Sequence, residues 1–177
     1  PSRLTAPASA VGVSSNVRPQ QDTVLRHARP EDADAVASVL IESRRAFLPF
    51  APSAHPEHEV RAWVRDVLLP GYEVTVFERN GVVVAALSTS AGTEASWIDQ
   101  LYVLPGHTSQ GIGGVLLRHA HGSLKYPIRL YTFQQNLAAR RFYERHGYAA
   151  IQFTDGQSNE EHCPDVLLEL AAPPAEA

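Results

Sequence analysis

The run Trp97-Ile98-Asp99-Gln100-Leu101-Tyr102-Val103-Leu104, followed by Gln110-Gly111-Ile112-Gly113-Gly114 and then Val115-Leu116-Leu117-Arg118-His119-Ala120, decides the fold class. It reads as a strand, a glycine-rich turn and a helix. Three glycines in five residues let the backbone come close to a ligand. The first turn of the helix beyond them leaves N–H groups without intrahelical partners, so the arrangement suits a phosphate. Glycines also mark ordinary turns, and the rest of the chain has to decide between the two.

Working outward, strand-like and helix-like segments alternate, which predicts a mixed α/β domain. A short strand is expected over Val24–His27. Arg29-Pro30-Glu31-Asp32 then opens a helix to about Phe47, with proline early and acids in the first turn. Leu48–Pro56, with three prolines, reads as a loop, and Glu57–Leu69 as a helix ended by Pro70-Gly71. Tyr72–Glu78 and Val82–Thr89 flank Arg79-Asn80-Gly81 and predict a hairpin with an Asn-Gly turn. After the strand at Ala95–Leu104 and the glycine turn, a helix runs to about His121. Ile128–Phe133 is a strand, Leu137–His146 a helix, and Tyr148–Phe153 and Val166–Leu170 are the last strands. A hairpin stands before the glycine turn where a dinucleotide-binding Rossmann fold would have an α/β crossover, which argues against that fold.

Composition narrows the function classes. With 177 residues and 44% hydrophobic content, one sizeable core is expected in one domain, residues 22–170, between a disordered Pro/Ser/Ala-rich leader at 1–21 and a flexible tail at 171–177. The net charge of -4 offers no basic field for a nucleic-acid backbone. No apolar run reaches the roughly 20 residues of a membrane span, and the N terminus lacks a signal-peptide pattern, so a soluble, cytoplasmic protein is expected. The single cysteine, Cys163, and eight histidines without ligand spacing predict no metal.

The helix after Phe133 sharpens the reading. Asn136 can cap its start, Gly147 can end it in a left-handed conformation, and Asn136, Ala139 or Arg140, and Tyr143 share one face. A ligand lying on that face meets an amide, a small residue and a phenol. Aromatic residues at this spacing also serve as core contacts.

Leu101-Tyr102-Val103-Leu104-Pro105, then Gln110-Gly111-Ile112-Gly113-Gly114-Val115-Leu116-Leu117, then Asn136-Leu137-Ala138-Ala139-Arg140-Arg141-Phe142-Tyr143-Glu144-Arg145-His146-Gly147-Tyr148 closely resemble the GCN5-related N-acetyltransferase (GNAT) family. The resemblance spans roughly Val24 to Leu170 and is strongest from Ile98 to Tyr148. It implies a single α/β domain with a central mixed, mostly antiparallel sheet of six to seven strands. About four helices would flank the sheet, which would splay at the strand before the glycine loop. It also implies acetyl-CoA as co-substrate, its pyrophosphate received by the backbone N–H groups of Ser109, Gln110, Gly111, Ile112, Gly113 and Gly114. Leu101, Tyr102 and Val103 would hold the pantetheine arm, with Val103 aimed at the thioester carbonyl. Asn136 and Ala139 would line the arm, and Tyr143 would protonate the departing thiolate. Similar proteins usually carry Arg or Gln three residues before the first glycine, and this chain carries Thr108, so a side-chain phosphate contact there is in doubt.

Transfer to an amine also needs a proton acceptor. Asp99 is the first choice, expected by strand alternation to share a face with Trp97, Leu101 and Val103. Glu73, Glu160, Glu161 and His55 stand behind it. The polar segment Asp155–Asp165 reads either as a solvated hairpin loop or as a wall of the acceptor site, with Leu48–Pro56 as the opposite wall. Cys163 lacks the partners of a nucleophile. The acceptor is expected to be a small-molecule amine or a peptide, with homodimerisation left open. A protein N-terminal or lysine acetyltransferase and a non-catalytic acyl-CoA sensor are the alternatives.

Overall fold

The computed structural model describes residues 21–173. The leader at 1–21 and the tail at 171–177 lie outside them apart from residue 21 and residues 171–173. The elements follow the expected order. They are β1 (Thr23–His27), a 3-10 turn (Pro30–Asp32), α1 (Ala33–Phe47), α2 (Glu57–Trp63), a π-helical stretch (Val64–Leu68), α3 (Leu69–Gly71), β2 (Glu73–Arg79), β3 (Val82–Ala91), β4 (Ser96–Val103), α4 (Ile112–Ser123), β5 (Ile128–Phe133), α5 (Leu137–Arg145), β6 (Ala149–Phe153) and β7 (Asp165–Leu170). Pro70 does not stop the second helix where the sequence reading ended it. The helix widens instead, Leu69 N–H reaching back to Val64 C=O, and runs to Gly71.

The strands form one sheet in the order β1-β2-β3-β4-β5-β7-β6, antiparallel except for the parallel β4–β5 pair. Asn80 and Gly81, with φ of 51° and 78°, make the left-handed two-residue turn that joins β2 to β3. Each face of the sheet has its own core. On one, Leu116, Leu117 and Ala120 of α4 pack against Leu87, Ile98, Ile128, Leu130 and Leu168. On the other, Val36, Val39 and Leu40 of α1 with Val64 and Leu68 cover Val74, Val76, Val83 and Ala86. At roughly 1.5–3 kcal/mol for each fully buried aliphatic side chain, these layers clamp β4 from both sides.

The clamp leaves one edge of β4 open. β4 and β5 pair only at Ser96–Ile128 and Trp97–Arg129, then diverge toward the glycine loop. This is the splay the resemblance implied.

Candidate active site

The crevice between the diverging strands has a volume of about 110 Å³. Asp99, Leu101, Tyr102 and Gln100 of β4 form one wall, Leu130 to Phe133 of β5 another, and Asn136, Ala139 and Tyr143 of α5 close it. The three α5 residues do share a face, as their spacing predicted. Asn136 also caps the helix, its Oδ1 accepting the Ala139 N–H at 3.1 Å, and the amide nitrogen is left for a ligand.

The expected position of Asp99 needs correction. Ser88 pairs with Gln100 while Thr89 pairs with Ile98, so Asp99 is an extra residue in β4, a bulge that resets the alternation. Ile98 therefore joins Leu101 and Val103 in the core under α4. Trp97 turns to the opposite face and stacks on Tyr131, ring centroids 5.8 Å apart. Asp99 reaches the crevice because of the bulge and not by sharing a face with all three. Partial desolvation holds its carboxyl above the ordinary carboxylate range, opposed by the Ser90 hydroxyl, which donates to it at 3.1 Å.

Tyr143 is only 7% exposed, its ring set edge-on to Phe142 and to Tyr148. Among the described residues nothing hydrogen-bonds its hydroxyl. Burial pushes the phenol well above its ordinary pKa, so it keeps its proton at every physiological pH.

Val103 also fits a donor role. Leu104 N–H turns toward Val84 C=O at 2.8 Å, so by strand alternation the neighbouring Val103 peptide group faces the open edge. The fully buried Ser43 of α1 holds the peptide unit that follows, its hydroxyl donating to Val103 C=O at 3.0 Å. Tyr102 borders the crevice, but its own N–H and C=O turn toward β3 like those of Leu104, and its side chain packs on the α1 face, where Arg44 Nη1 approaches its hydroxyl at 3.4 Å.

At the glycine turn, Gly106, Ser109 and Gly111 all have positive φ, Gly111 at 83°, and Gly111 is the N-cap of α4. The first backbone bond of α4 runs from Val115 N–H to Gly111 C=O at 3.1 Å. Among the described residues, no N–H from Thr108 to Gly114 donates to a protein group. This is a concave set of donors at the positive end of a helix, as phosphate binding requires. The Gln110 side chain bends away, its Nε2 donating to Gly106 C=O at 3.0 Å.

A larger pocket of about 860 Å³ lies between α1, α2 and the β6–β7 loop. Leu40, Ile41, Val60 and Trp63 give it an apolar floor; Leu48 and Gln100 border both cavities. Ion pairs line its walls. Arg44 pairs with Glu161 at 2.6 Å, and His55 sits between Glu59 at 3.1 Å and Glu160 at 3.0 Å. Those carboxylates raise the pKa of His55. Of the alternative bases, His55, Glu160 and Glu161 thus face this pocket, whereas Glu73 lies outside both cavities beside His27. Sequence reasoning missed Arg44, Ser43 and Gln100, since nothing local marks them.

The β6–β7 loop is not a simple solvated hairpin. Asn159 clamps it, donating to Cys163 C=O at 2.8 Å and to Asp165 Oδ2 at 3.0 Å while accepting the Cys163 N–H at 3.1 Å. The Thr154 hydroxyl donates to Asp165 Oδ1. Cys163 is buried beneath the clamp.

The Acetyltransferase (GNAT) family model matches residues 39–148. No curated protein matches the sequence significantly. Among solved structures, the apo form of YjaB from Escherichia coli superposes with a TM-score of 0.67 at 22% identity, over 85% of this chain and 99% of that one. The PaiA N-acetyltransferase from Thermoplasma acidophilum, solved with coenzyme A, gives 0.69 at 20% identity over 85% and 99%. The ribosomal-protein-S18-alanine N-acetyltransferase from Escherichia coli gives 0.64 at 20% identity over 88% and 97%. At these identities the structural likeness establishes the fold.

Proposed function

Because the chain belongs to the GNAT family of acetyltransferases, whose co-substrate is acetyl-CoA, we propose that it transfers an acetyl group to the primary amine of a small molecule by direct attack in a ternary complex. The observation that carries this reading is the junction of the two cavities. The crevice with Tyr143, Asn136 and Asp99 opens beside the large pocket, with Leu48 and Gln100 common to both.

Acetyl-CoA supplies an activated thioester. In this reading the N–H groups of Ser109 to Gly114 hold its pyrophosphate, and Leu101, Tyr102, Asn136 and Ala139 line the arm. Val103 N–H, next to the carbonyl that Ser43 holds, stabilises the charge that develops on the carbonyl oxygen as the amine nitrogen bonds to the acetyl carbon. The carbon–sulfur bond breaks, the thiolate takes the Tyr143 proton, and Asp99 accepts the proton the amine gives up, through water. The ion pairs of the large pocket favour a compact amine over a peptide, because Arg44–Glu161 and His55–Glu160 tie its helical side to the β6–β7 loop and narrow the room for a chain. No helix among the described residues is long and apolar enough to cross a membrane.

Thiol release from acetyl-CoA, screened over small amines, antibiotics, amino acids and peptides, tests the reading. Release with a small amine is expected. Release only with peptides would move the assignment to protein acetylation, and tight acetyl-CoA binding without any release would favour a sensor.

Asp99→Asn is expected to slow turnover roughly tenfold to hundredfold at pH values above the raised pKa of Asp99 and below that of the amine, and little outside that window. The sign follows from the titrations. Asp99 accepts a proton only when ionised, above its raised pKa, and a base is needed only while the amine is an ammonium, below about 10. The deficit therefore fills the window between those values. An unchanged pH–rate profile would remove Asp99 as base.

A further inference from the structure

The approach to the glycine turn carries Thr108 in place of a side-chain phosphate ligand, yet the fold brings a cation there from 31 positions away. Arg79 is the last residue of β2. Phe77 pairs with Ala85 and Glu78 with Val83, so the hairpin carries a bulge just before its end. Phe77 packs in the core beneath α4 with Ile112 and Leu116. Arg79, two residues on, lies on the same face and is aimed at the first turn of α4. Glu78, on the other face, is taken by Arg26 at 2.9 Å.

The guanidinium of Arg79 donates through Nη1 to Gln110 Oε1, and the other end of that amide is tied to Gly106 C=O at 3.0 Å. Gln110 is thereby a spacer holding Arg79 against the loop. The Nε of Arg79 is buried and has no hydrogen-bond partner. Among the described residues no carboxylate lies within ion-pair distance of it, whereas the partly buried Arg26 holds two and Arg44 one. A cation beside the positive end of a helix, next to a run of unpaired N–H groups, is unfavourable unless an anion lies between them.

We infer that Arg79 is the side-chain ligand of the co-substrate's diphosphate, reaching from β2 to the group that the glycine-loop backbone cradles. Its planar fork matches two phosphate oxygens, and Gln110 fixes its angle of approach. The inference rests on the co-substrate reading of the glycine loop given above.

Calorimetric titration of wild type, Arg79→Gln and Arg79→Lys with coenzyme A and with dephospho-coenzyme A, which lacks the 3′-phosphate, tests it. Arg79→Gln is expected to weaken both nucleotides alike, by roughly tenfold to a hundredfold. Its affinity should fall less steeply with added salt than that of wild type, and Arg79→Lys should recover part of the loss. The melting temperature without ligand should hold or rise, since an unpaired cation is removed. Unchanged affinity in Arg79→Gln would overturn the assignment. Weakening for coenzyme A alone would overturn it too, by moving the contact to the 3′-phosphate. A wild type that binds neither nucleotide would instead sink the co-substrate reading, and this inference with it.

Discussion

Tyr143→Phe is expected to lower kcat by about a hundredfold, within the range that a positioned proton donor contributes, while the Kd for acetyl-CoA stays within about twofold. The two parts of the expectation have different structural origins. The ring makes the packing, edge-on to Phe142 and Tyr148 inside the α4 core, and phenylalanine keeps all of it. Only the hydroxyl is removed, and since nothing in the described protein hydrogen-bonds it, no buried partner is orphaned by the change. The fold and the crevice should therefore survive. The departing thiolate would lose its donor, and leaving groups that need little protonation should lose least. Stopped-flow turnover with calorimetric binding on both proteins separates the effects. Equal turnover would eliminate the acid role, and a parallel loss of affinity would make Tyr143 a binding residue instead.

Gly156→Ala should act on the other wall and by another mechanism. Gly156 has a φ of 79°, and a Cβ built there would stand 2.3 Å from both the carbonyl carbon and oxygen of Cys163. Backbone cannot swing aside as a side-chain tip can, because Asn159 holds Cys163 through both its N–H and its C=O. The left-handed conformation and the overlap together cost about 2–5 kcal/mol. The loop that carries Glu160 and Glu161 should lose its shape, and the Arg44–Glu161 bridge with it. A fall in melting temperature of roughly 5–15 °C is expected if the loop stays coupled to the fold. In either case the acceptor KM should rise more than tenfold and acetyl-CoA affinity should not change. A variant with wild-type melting and wild-type KM would show that the loop is no wall.

What the sequence revealed depended on range. The Asn80-Gly81 hairpin, the cap at Asn136 and the glycine entry to α4 are decided within a few residues, and each was legible. The bulge at Asp99 was not, because parity along β4 depends on how β3 pairs with it. Arg44–Glu161 and Arg79–Gln110 join residues 117 and 31 positions apart, and no local pattern marks either partner. The extension of the second helix through Pro70 escaped for a different reason: a π-helical widening removes the clash that local rules charge against proline.

The short ladder between β4 and β5 has a mechanical meaning. Seven strands in one order suggest a single stiff plate, but the hydrogen-bonded framework is two plates, β1–β4 and β5–β7–β6, fastened by two rungs and a shared core. A ligand lying in the gap is then a fastening as well as a reagent. On the proposed function, part of the co-substrate's binding energy would go into holding the two plates together, so the protein would be stiffer loaded than empty.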